Sequence, residues 1–238
     1  MPIEFTRRST SKEVLRLDWD YPVAKKFAAN AGDGKTTSAR MAEYALPVAD
    51  VYKILSGDDR RPLLVLRECD KCKGSDVALL SRSLGDERTK LLANWFHCVK
   101  LPPDVLRKNH PFSKLYPEQD KVPHLFFSSY DGKGRVTLGG DQKQADLWKV
   151  MTKAIEDNYQ KSPKPALKAM VSLLSQFDSF DILEEDYKKM LRDEMYKSGG
   201  KSTKADKLRA KIAEVQKKKA SAMKRAKAVC DLKLVVSK

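Results

Sequence analysis

The sequence predicts an α/β protein: a central mixed sheet flanked by helices, with an α-helical extension at its C-terminal end. Three observations carry that expectation. Between residues 62 and about 160, short apolar runs of strand length alternate with stretches of helical spacing. Within that region "LFFSSYDGKGRVTLGG" reads as two strands around a glycine-bearing turn. Beyond Pro163 and Pro165 the spacing is helical and increasingly polar. The chain therefore divides into an N-terminal extension (1–60), an α/β domain (61–160) and a Lys-rich helical extension (161–238). At 238 residues and 41% hydrophobic content it is large enough to bury a proper core.

Taken in order, "EVLRLDWD" reads as a short strand. "SARMAEYALPVADVYKIL" has helical spacing, with Pro47 breaking or restarting the turn. "PLLVLRE" is a continuous apolar run, the pattern of a strand covered on both faces. After it, Val77, Leu80, Leu84, Leu91 and Leu92 keep helical spacing, interrupted near Gly85, and "FHCVKLP" is a second strand. Pro102, Pro103, Pro111 and Pro117 exclude a continuous helix from the connection that follows. Strands are expected at 124–129 and 134–138, and a helix capped by Asp141 presents Leu147, Val150, Met151, Ala154 and Ile155 on one face. "ALKAMVSLLSQF" and "DILEEDYKKMLRDEMY" read as an antiparallel helix pair, "SGGKST" as a break, and residues 203–229 as a final helix with a narrow stripe of Leu208, Ile212 and Val215. "LKLVV" reads as a closing short strand.

The charge is concentrated. From Lys197 to Lys238 fourteen Lys and Arg stand against three acids, so +11 of the formal +15 lies in that stretch. Such a run suits either a solvated helix face or a polyanionic partner. No run approaches the roughly 20 apolar residues that cross a bilayer, and no apolar segment of signal-peptide length follows Arg7 and Arg8. A cytoplasmic protein without membrane contact is the expectation. "AANAGDGKTTS" imitates the end of a phosphate-binding loop, but Ala29 stands where the first glycine belongs, so a polar surface loop is the better account.

Cys69 and Cys72 stand three positions apart, where the apolar run gives way to a polar helix start. In a reducing compartment such a pair is redox-active, metal-binding or idle. Zinc normally takes four ligands. His97 and Cys98 would complete the set in number, but adjacent strand residues point to opposite faces.

The order of strand, Cys69-Asp70-Lys71-Cys72, helix, strand, Val122-Pro123, hairpin, Gly139-Gly140 and helix resembles the thioredoxin-like superfamily over residues 61–160. The resemblance implies a thioredoxin-like fold and thiol–disulfide exchange on a protein substrate. Cys69 is then the attacking thiolate, favoured by a helix N-terminus, and Cys72 resolves the mixed disulfide. Val122 and Pro123 are expected to shape the substrate groove, with a cis bond before Pro123 facing the sulfurs. Lys71 and Lys73 stabilise the thiolate in this reading, Glu68 and Asp70 oppose it, and His124 tunes it. Glu68 also takes the place of the usual aromatic, and Asp70-Lys71 that of the usual Gly-Pro. The implied partners are a protein disulfide and a reductant of unknown identity, with no cofactor and no metal. The alternative is a non-catalytic thioredoxin-fold binding module whose basic helix, 201–227, engages a protein or a polyanion.

Overall fold

The computed structural model describes residues 6–22, 45–69, 78–80, 86–117, 122–199 and 202–235. Contacts divide the chain into two compact units. One joins residues up to Arg16 with Lys161–Lys233, and the other joins Leu17–Gln160 with the chain end from Leu234. The expected 1–60 extension thus contributes to both.

The second unit is mixed α/β. Its strands are β1 (Leu63–Arg67), β2 (His97–Leu101), β3 (Leu125–Ser128) and β4 (Val136–Leu138), in the order β2-β1-β3-β4. β1 runs parallel to β2 and antiparallel to β3, which pairs antiparallel with β4. All five residues of β1 are buried, four of them, Leu63–Leu66, as the continuous apolar run that a central strand requires. Gly132 and Gly134 take the positive φ angles of 89° and 62° that the tight Asp131–Gly134 turn needs. A side chain at 132 would meet the Tyr52 ring at 2.3 Å.

Consecutive phenylalanines on β3 show how the sheet is covered. Phe126 meets Tyr52 edge-on with centroids 6.5 Å apart, and Phe127 meets Phe96 at 5.5 Å. On the Phe126 side, α2 (Val48–Ser56) buries Val51, Tyr52 and Leu55 with Leu63, Val65, Val99 and Leu101. Pro47 sits at the N-cap of α2, which it restarts. The other side carries α3 (Glu87–Ala93) and α4 (Gln144–Asn158), which buries Leu147, Met151 and Ile155. Each such side chain contributes roughly 1.5–3 kcal/mol. The Trp148 indole N–H donates to Thr89 Oγ1 at 2.9 Å and ties α4 to α3.

Three local expectations are corrected here. "EVLRLDWD" is not a strand: α1 is a helix over Ser9–Val14, and Asp20 alone bridges to Val99 beyond β2. Leu15 ends α1, so the alternating pattern that suggested a strand straddles a helix end and an extended chain. Asp141 does not cap α4; Lys143 is its N-cap and no side chain caps it. "LKLVV" yields one bridge, Tyr159 to Leu234.

The first unit is helical. α5 (Pro163–Ser198) is a single helix of 36 residues, about 54 Å long, instead of the expected pair. No Gly or Pro stands between Phe177 and Asp181, so nothing ends the helix there. Gly199, at φ 66°, does end it, and Ser202 caps α6 (Thr203–Cys230) by accepting from the Ala205 N–H at 3.1 Å. Ser202 meets Glu194 near the turn, whereas Arg225 meets Gln176 far from it, so the helices are antiparallel. Leu208, Val215, Ala222 and Ala226 of α6 face inward. α1 docks on α5 through Ser11, whose hydroxyl donates to the Leu174 carbonyl at 2.9 Å. No helix among the described residues is long and apolar enough to cross a membrane.

Candidate functional site

Cys69 follows β1 at its C-terminal end. β1 remains hydrogen-bonded on both sides up to that point: the Arg67 N–H donates to the His124 carbonyl at 2.8 Å, and the Glu68 N–H to the Leu101 carbonyl at 2.8 Å. Cys69 leaves the sheet immediately after these bonds, half-buried, beside the start of β3. Cys72, Asp70, Lys71 and Lys73 lie outside the described residues.

Val122 and Pro123 lead into β3, so the antiparallel register of β1 and β3 brings Glu68-Cys69 and Val122-Pro123 to the same end of the sheet. The bond before Pro123 is trans, since no cis peptide occurs among the described residues. The cis bond implied by the resemblance is therefore corrected, and trans is the intrinsically preferred isomer.

Arg67 is the residue that sequence reasoning passed over. It is 7% exposed, and its guanidinium donates from Nε to the Pro123 carbonyl and from Nη1 to the Glu68 carbonyl, both at 3.2 Å. No carboxylate pairs with it among the described residues. The fork links the segment on either side of the site, two residues from Cys69, and sets a fixed positive charge there. The available signal was a lone cation ending an otherwise apolar strand.

Burial holds the His124 imidazole below its ordinary pKa, and the Arg67 charge lowers it further. The neutral imidazole is thereby favoured beside the Arg67 guanidinium. The His124 backbone N–H donates to the Leu138 carbonyl at 3.1 Å. Gly140, at φ 98°, closes the wall: a Cβ there would stand 3.1 Å from Ala78 Cβ and 3.2 Å from His124 Cβ. Gln142 fastens this corner, accepting from the Gly140 N–H at 2.8 Å and donating to the Ala78 carbonyl at 2.7 Å. The corner thus grips the chain that returns from the cysteine segment.

Comparison of the chain with protein-family models, with curated proteins and with solved structures finds no match.

The remaining candidates separate. His97 faces Asp20, with Nε2 and Oδ2 3.2 Å apart, while the Cys98 thiol is buried against the Ala93 carbonyl at 3.6 Å. They point apart, as neighbours on a strand must. Burial pushes the Cys98 thiol up to about 12. Among the described residues no group of three His, Cys, Asp or Glu side chains is placed to hold a metal ion. Cys230, the last residue of α6, is half-buried, and burial raises its thiol. The segment 28–38 lies outside the described residues.

Proposed function

We propose that this chain carries out thiol–disulfide exchange on a protein substrate in a thioredoxin-like domain. The supporting observation is the position of Cys69. It leaves the central strand between two neighbours, one parallel and one antiparallel, beside a proline-led strand and a buried arginine. The sheet order β2-β1-β3-β4, with helices on both faces, suits the thioredoxin-like reading.

In the reaction the Cys69 thiolate attacks one sulfur of the substrate disulfide. A mixed disulfide forms, the substrate S–S bond breaks, and its other sulfur leaves as a thiolate. Cys72, as thiolate, then attacks Cys69, releasing the second substrate sulfur and closing the Cys69–Cys72 disulfide. Two electrons pass to the substrate, and an external dithiol restores the pair. Arg67 acts here as a positioning residue: its charge favours the Cys69 thiolate, and its bond to the Pro123 carbonyl fixes the edge a substrate chain lies against.

The test is turnover of a protein disulfide. The wild-type chain is expected to accelerate reduction of insulin by dithiothreitol, and Cys69→Ser to abolish the acceleration. Equal rates for the wild type and Cys69→Ser would overturn the reading.

A further inference from the structure

The lysines of α6 do not share one environment. Lys204, Arg209, Lys218 and Lys219 are neutralised by Glu194, Asp206, Glu214 and the Asp181/Glu184 pair. Both acids of α6 itself, Asp206 and Glu214, are consumed in this way. Lys207, Lys217, Lys224 and Lys227 are exposed and pair with no carboxylate among the described residues. On a helix of 3.6 residues per turn, Lys217 and Lys224 lie on the line opposite the buried Leu208, Val215 and Ala222, with Lys207 to one side and Lys227 to the other. The four span about 30 Å of helix. Between them stand small residues, Ala210, Ala213, Ser221 and Ala228.

We propose that this outward face of α6 binds double-stranded DNA through its phosphates, without reading sequence. The four lysines outnumber the acids of that face, where the exposed Asp206 and Glu214 are each held by a neighbouring cation, Arg209 and Lys218, and the small residues allow close approach. A helix about 10–12 Å across matches a B-form major groove about 12 Å wide, whose two phosphate rows are reached by lysines on either flank. The other polyanionic surfaces fit less well. α6 exposes no large apolar side chain to enter a bilayer interface, and its sequence has no aromatic on which single-stranded bases would stack. This inference rests on α6 alone and stands independently of Cys69.

The experiment is fluorescence anisotropy of the full chain with a labelled duplex of about 24 base pairs, between about 50 and 200 mM salt. Release of counterions at three to four phosphates predicts an affinity loss of roughly 100-fold across that range. The variant Lys207→Gln/Lys217→Gln/Lys224→Gln/Lys227→Gln is expected to bind at least about 20-fold more weakly at the lower salt and to lose most of the salt slope. A second variant, Lys108→Gln/Lys114→Gln/Lys143→Gln/Lys149→Gln, removes the same charge from exposed lysines of the α/β unit. It is expected to bind within about twofold of wild type, with both variants keeping their helical circular dichroism. The proposal is overturned if the second variant loses as much as the first, or if the first binds like wild type. Tighter binding to phosphatidylserine vesicles than to the duplex would overturn it equally.

Discussion

The Arg67 guanidinium reaches across from the end of β1 to the carbonyl of Pro123, 3.2 Å from Nε, and so joins the two segments that flank Cys69. Removing it should leave the Pro123 carbonyl without that donor and the site without its buried cation. Arg67→Met is expected to cost about 2 kcal/mol in urea unfolding, the range of a charge-assisted hydrogen bond. It should also slow alkylation of Cys69 at pH 7 by about tenfold, with Arg67→Lys recovering part of the rate. An unchanged alkylation rate in Arg67→Met would remove Arg67 from the chemistry and leave it a structural role.

Two glycines with positive φ separate backbone strain from crowding. Gly57 has nothing within 4 Å of an added Cβ, whereas Gly140 has Ala78 and His124 within 3.3 Å. Gly57→Ala should cost about 1 kcal/mol from conformation alone. Gly140→Ala should cost more than that and slow disulfide exchange, because it displaces the chain on which Gln142 holds Ala78. Equal losses from the two variants in thermal unfolding and turnover would contradict the packed corner.

Cys98 gives a prediction of inertness. A thiol pushed to about 12 carries almost no thiolate at pH 8. Iodoacetamide should leave Cys98 unmodified in the native chain and label it in urea, as peptide mass mapping would show. Native labelling of Cys98 at a rate comparable with Cys69 would contradict the buried β2 position.

Acid should act on the helical unit. Hydrogen bonds from Lys188, Gln216 and Lys219 hold Glu184 at about 2. Burial pushes Asp181 upward, yet bonds from Lys219 and Thr10 outweigh it and leave it below the usual range. Burial likewise opposes Asp178, which Arg7 and the Arg8 N–H draw below that range. Groups with depressed folded pKa values stabilise the fold above their unfolded pKa, about 4, and lose that contribution as pH falls toward 2. Helical circular dichroism should therefore grow more sensitive to urea between pH 4.5 and 2, with a flatter dependence in Glu184→Gln. A pH-independent midpoint over that window would refute the network.

Much of the architecture was legible because strong local signals agreed with burial. The apolar run 63–66, the second strand at 97–101 and the Asp131–Gly134 hairpin depend on composition and turn chemistry within a few residues. α5 was misread as two helices because its buried face carries Asp178, Asp181 and Glu184. Polar residues on a core-facing line imitate a loop until their partners, Arg7, Thr10 and Lys219, are brought in from elsewhere in the chain. Arg67 was hidden for a related reason: its value comes from a carbonyl 56 residues away, which no local pattern encodes.

An equilibrium titration of the purified chain in glutathione buffers decides whether Cys69 and Cys72 form a dithiol couple. Both thiols would be followed by alkylation and mass, with metal content read on the same sample. One reversible two-electron transition should link Cys69 to Cys72, in protein free of stoichiometric metal. A pair that stays reduced at every accessible potential, or that copurifies with one zinc per chain, would contradict it.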